Sequence, residues 1–92
     1  MRIPPALAAR LTEEVLERLP PPPARVLEVG FAGIHAVPLR LAGYDVDVLD
    51  DDPRAVERAG AVVAAPSGAY DAVVAPAGAD LSGVDAALAI RL

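Results

Sequence analysis

Three short runs of strand-forming residues most constrain this chain: RVLEV at 25–29, DVDVL at 45–49 and YDAVVA at 70–75. The stretches between them are long enough to hold a helix. Strands joined by crossovers of a dozen or more residues run parallel, so this spacing predicts an α/β sheet of mostly parallel strands. Ninety-two residues allow one domain, 1–92, with a thin core.

The punctuation between the runs supports that order. Residues 5–19, PALAARLTEEVLERL, predict a leading helix with Pro5 in its first turn and Leu7, Leu11, Val15 and Leu19 at four-residue spacing. Pro20 to Pro23 end it, and residues 20–24 form a stiff linker. GFAG is a turn, and 35–42 predict a short helix stopped by Gly43. Asp52 as N-cap with Pro53 at N1 starts a helix running to about Ala59. A last helix is expected over 82–90, capped by Ser82.

AVVAA at 61–65 poses a difficulty of reach. Only a handful of residues separate it from Tyr70, too few to carry the chain back across two strands. Three arrangements are open: 61–65 does not pair, leaving strand order 2-1-3; it pairs antiparallel with 70–75; or it forms a very short edge strand with an extended loop. The first is preferred.

Composition excludes several functions. The net charge is −5, and the eight strong bases, all Arg, are scattered, so no basic stripe is available for nucleic-acid phosphates. The absence of Cys removes disulfides, thiolate metal sites and a Cys nucleophile. No run approaches a membrane span, and Pro4 and Pro5 followed by early charges do not read as a signal peptide. A cytoplasmic protein, with no membrane partner, is the expectation. Ser67 and Ser82 have no triad around them, because the single His has no evident partner.

The run VLEVGFAG, then YDVDVLDDDPRAVERA, then YDAVVA resembles the Rossmann-like half of class I S-adenosylmethionine-dependent methyltransferases, over about residues 25–75. In that family the first strand ends in an acid followed by Gly-x-Gly-x-Gly. The second ends in an acid about twenty residues on, often as D-x-x-P, and the fourth often begins with an aromatic–Asp pair. The resemblance implies a minimal Rossmann-like three-layer sandwich of three or four strands, lacking the C-terminal strands of a full methyltransferase. It implies S-adenosylmethionine or a related adenine nucleotide as ligand, with no metal. Cofactor contacts would fall on Glu28, Gly30, Phe31, Ala32, Gly33, Asp50 and Asp51: Glu28 toward the amino-acid end, Gly30 at the turn, Asp50 on the ribose.

Departures from the pattern shape the functional expectation. Ala32 and Ile34 stand where the second and third glycines belong, and Gly33 sits one position off. Ile34 would put a branched side chain where the cofactor lies against bare backbone. Ala64, Ala65 and Pro66 occupy the region of the family's adenine-contacting acid. Positioning supplies most of the rate of methyl transfer, and half of the positioning walls are missing. No catalytic residue is assigned, and the substrate half would come from a protein partner or a second copy. The alternative is a non-catalytic Rossmann module acting in self-association or partner binding. An apolar edge at Val73 and Val74 predicts a homodimer. A nicotinamide-dinucleotide fragment ranks third, since G-x-G-x-x-G spacing fails after Gly30. His35 reads either as a pocket base or as an ordinary helix N-terminal residue. Asp51 and Asp52 read as a metal pair or as helix caps, with capping preferred. Tyr70 and Asp71 read as pocket lining or as strand-start packing, with packing preferred.

Overall fold

A computed structural model describes residues 5–92; the expectation that rests on Pro4 lies outside the described residues. Helix α1 (Pro5–Arg18) leads into strand β1 (Arg25–Val29). Then come α2 (Ala36–Leu41), β2 (Asp45–Leu49), α3 (Pro53–Ala59), β3 (Ala69–Ala75) and β4 (Asp85–Arg91). The four strands form one sheet in the order β2-β1-β3-β4, and every pair is parallel. This is the parallel α/β arrangement that the run spacing predicts, and it fits the minimal Rossmann-like sandwich that the resemblance implies.

One detail follows the preferred sequence expectation and one departs from it. Residues 61–65 form no strand, in line with the preferred arrangement, and a single backbone bond joins Val63 N–H to the Val48 carbonyl at 2.8 Å. The expected helix over 82–90 is instead β4. Asp80 accepts the Ser82 N–H at 2.9 Å and Gly83 has φ 90°, so 80–83 is a turn and Ser82 caps nothing. The outer side of β3 then offers a full ladder to the next segment, and 85–91 takes it in register, Ala72 beside Leu88 and Val74 beside Ile90. The edge expected to lie bare at Val73 and Val74 is therefore covered.

The helices gather on one sheet face. Val26, Val46, Val48, Ala72, Val74 and Ile90 pack there with Val15 of α1, Ala36 and Leu39 of α2, and Ala55 and Ala59 of α3. Helix α1 turns its Thr12, Val15, Leu19 side inward, so Leu7 is left 45% exposed. The opposite face carries Leu27, Tyr70 and Val73 beneath Val63, Leu81 and Val84, so its third layer is irregular chain. A clamp fixes that layer. Arg25 lies 4.2 Å over the Tyr70 ring and pairs with Asp47 at 3.0 Å; Tyr70 O–H donates to Asp47, and Ser67 N–H donates to the Tyr70 oxygen. Asp71 accepts the Arg25 N–H at 2.7 Å. Tyr70 and Asp71 thus act in packing.

Candidate functional site

The loop after β1 turns tightly at the sheet's carboxyl end. Gly30 has φ 78°, and a Cβ there would sit 2.8 Å from Pro76 Cδ. A Cβ on Gly33, at φ 77°, would meet the Ala55 carbonyl oxygen at 3.2 Å, so this glycine lets α3 pack on the loop. Between them Ala32 has φ 51°, the left-handed region that costs an L-residue roughly 1–2 kcal/mol. The glycine conformation is thus present at the position where the resemblance expects glycine, although the residue is alanine. Ala32 N–H donates to Asp50 Oδ2 at 2.8 Å, and Arg58 donates to the Ala32 carbonyl at 3.3 Å.

Asp50 closes β2 and joins this loop to the next. Its Oδ1 accepts the Asp52 N–H at 2.9 Å while Oδ2 holds Ala32. Asp52 then caps α3 through the Arg54 N–H, and a 2.7 Å ion pair and hydrogen bonds from Arg54 hold its carboxyl down at about 2. A cavity of about 520 Å³ opens beside Asp50, lined by Val29, Gly30, Leu49, Asp50, Asp51, Val62, Val63 and Ala64. It lies at the carboxyl ends of β1 and β2, the end of an open parallel sheet where ligands bind. Its walls are mostly apolar, and Asp51 is exposed in it. A smaller hollow of about 90 Å³ adjoins it, lined by Gly30, Phe31, Ala32, Asp50, Asp52, Arg54 and Arg58.

Behind the loop lies a fully buried polar cluster. Glu28 and His35 are both 0% exposed. Glu28 Oε1 accepts the His35 N–H at 2.7 Å and so fixes the start of α2, while its Oε2 has no partner. Burial pushes the Glu28 carboxyl up to about 7, with the nearby Asp50 charge adding and the His35 N–H opposing. Burial lowers His35 to about 4. Thr12 donates its only hydroxyl proton to the Ala8 carbonyl, so the 2.7 Å contact to His35 Nδ1 assigns the proton to Nδ1. Nε2 is left as a bare acceptor without a partner.

Compared with models of protein families, the chain matches none. No curated protein matches it either.

The residues singled out by sequence divide into three groups. Gly30, Asp50 and Asp51 line the 520 Å³ cavity together. Phe31 and Ala32 line only the adjoining hollow, and the Phe31 ring is 8% exposed, edge-on to His35 with centroids 5.0 Å apart. Glu28 sits in the core beneath the turn, and Gly33 lines a groove with Pro5, Ala8, Ile34, Val37 and Arg58. Ile34 therefore faces that groove, away from the cavity at Asp50, and does not obstruct it. Among the described residues no group of three or more His, Asp or Glu side chains could hold a metal. No helix of the described chain is long and apolar enough to cross a membrane.

Sequence reasoning missed two contributions. Val62 and Val63 wall the cavity although they form no strand. Thr12 anchors His35, and its spacing with Val15 and Leu19 on one helical face was the available signal.

Proposed function

We propose that this chain is a methyltransferase-like Rossmann module that holds S-adenosylmethionine, or a closely related adenosyl ligand, in the 520 Å³ cavity at the carboxyl ends of β1 and β2. The observation that carries the reading is the meeting of Gly30, Asp50 and Asp51 with an apolar wall of Val62, Val63 and Ala64. A flat purine ring suits the apolar wall, and carboxylates accept hydrogen bonds from ribose hydroxyls. Asp50 already holds two backbone N–H groups, so its remaining lone pairs are secondary acceptors, and the exposed Asp51 is the better placed acid. The acids facing this cavity are Asp50 and Asp51, while His35 is wholly buried behind the loop. In this reading the module forms part of a catalytic site, and a partner or second copy supplies the methyl acceptor's walls. The cytoplasmic location expected from the sequence is part of this reading.

Calorimetric titration with S-adenosylmethionine and S-adenosylhomocysteine tests the reading. Binding heat that disappears in Asp51→Ala supports it, and no heat at millimolar ligand overturns it.

A second reading, a non-catalytic module for self-association or partner binding, rests on a different observation. Folding alone accounts for both glycines and for both Asp50 oxygens. Under it, the titration gives no heat and the fold survives Asp51→Ala unchanged.

A further inference from the structure

The two edges of the sheet are finished differently. On β2, the outward Val46 carbonyl accepts Arg40 Nη2 at 2.8 Å, and the outward Val48 carbonyl accepts the Val63 N–H. That edge is blunted. On β4, Leu92 turns both its backbone groups inward, its N–H to the Ala75 carbonyl and its carbonyl to the Ala77 N–H. Strand period two then turns Leu88 and Ile90 inward as well, and leaves Asp85, Ala87, Ala89 and Arg91 presenting N–H and carbonyl groups outward. Among the described residues nothing pairs with that row. The strand is also exposed along most of its length, with Leu88 at 39%.

We propose that β4 is the docking edge for a second copy of this chain, paired antiparallel about a two-fold axis at Leu88. The sequence DAALAIR complements itself in that register alone. Asp85 of one copy faces Arg91 of the other, and Ala87 faces Ala89, through the outward backbone groups. These pairs make about eight backbone hydrogen bonds. Leu88 meets Leu88 at a position without backbone bonds, where side chains come closest. Asp85 and Arg91 share one face of the strand, so each Asp85 lies opposite the other copy's Arg91, whose Nη1 donates to the Ala77 and Ala79 carbonyls and whose Nη2 is left for the carboxylate. A shift by two residues loses these ion pairs. The result is a continuous eight-stranded sheet, and it stands whether or not the cavity takes a ligand.

Sedimentation equilibrium on the full chain reads the association, with a dimer of the 9.4 kDa chain expected at about 100 μM. Ala87→Pro removes one outward N–H and keeps the inward ladder, so it gives a folded monomer by circular dichroism. If that variant fails to fold, Leu88→Lys replaces it, with a dissociation constant raised about tenfold or more. The register has its own readout, because the chain has no Cys. Leu88→Cys forms a covalent dimer under mild oxidation, whereas Leu41→Cys, on a side chain 84% exposed, does not. A wild-type monomer at about 200 μM, a dimer that survives both β4 variants, or equal cross-linking at residues 41 and 88 overturns the proposal.

Discussion

The β1–β2 flank and the β3–β4 flank are built from the same parallel pairing, yet they are secured by different means. On the first, α2 and α3 cover the sheet, Asp50 and Glu28 bind the loop backbone, and Arg40 ties the outer edge to the Ala59 carbonyl of α3 at 2.6 Å. On the second, residues 76–84 cross over without a helix, Arg91 reaches the Ala77 and Ala79 carbonyls, and the outer edge stays open. One flank carries the candidate cavity, and the other carries an unpaired ladder. The contrast teaches that a parallel sheet can hold a shaped end and, among the described residues, an unpaired edge in one small domain.

Substitutions break this comparison in order of size. Leu39→Ala, at a wholly buried α2 position, costs about 2–5 kcal/mol, whereas Leu88→Ala costs under about 1 kcal/mol in dilute solution, where the edge is unpaired. Thermal unfolding reads both, at about 4–8 °C per kcal/mol for a domain of this size. Equal losses would erase the distinction between the flanks.

The buried acid gives the next effect, on the order of 3 kcal/mol across its titration. Folding raises Glu28 from 4.5 to about 7, so its stabilising contribution is complete below pH 4.5 and is lost as pH rises through 7. Folding lowers His35 from 6.5 to about 4, so its contribution is complete above pH 6.5 and is lost as pH falls through 4. Between pH 4.5 and 6.5 the two slopes oppose, and wild-type stability is nearly flat. Glu28→Gln removes one slope, so the variant's denaturant midpoint climbs with pH over that window. A variant as flat as the wild type contradicts the assignment.

Smaller changes address the loop. Gly30→Ala combines a positive φ with a clash on Pro76 and costs about 2 kcal/mol. Ala32→Gly relieves the left-handed alanine, and after the entropic cost of glycine it stabilises by about 0.5 kcal/mol. Urea midpoints measure both, and a destabilised Ala32→Gly would mean that the loop's strain is absent in solution.

The same flanks differ in how much of them was legible. β1 and β2 match the expected 25–29 and 45–49, and Asp52 and Pro53 start α3 as capping chemistry demands. Local signals suffice there. β4 was invisible because Ala and Leu are helix formers, and only the distant β3 ladder makes DAALAIR a strand. The resemblance places Glu28 at the cofactor, and its strand parity, shared with the buried Val26, turns its side chain to the helix-covered face. The side of α1 that packs inward was also missed, because Thr12 hides a buried position behind a polar side chain.

The most direct measurement is a ¹⁵N chemical-shift titration of the full chain with S-adenosylhomocysteine. The account predicts saturable shifts at Gly30, Ala32, Asp51 and Val63, around the cavity at the carboxyl ends of β1 and β2. Gly43 and Tyr44, in the groove at the opposite end of the sheet, stay still. Unmoved amides at Gly30, Asp51 and Val63, or shifts confined to the far groove, would contradict it.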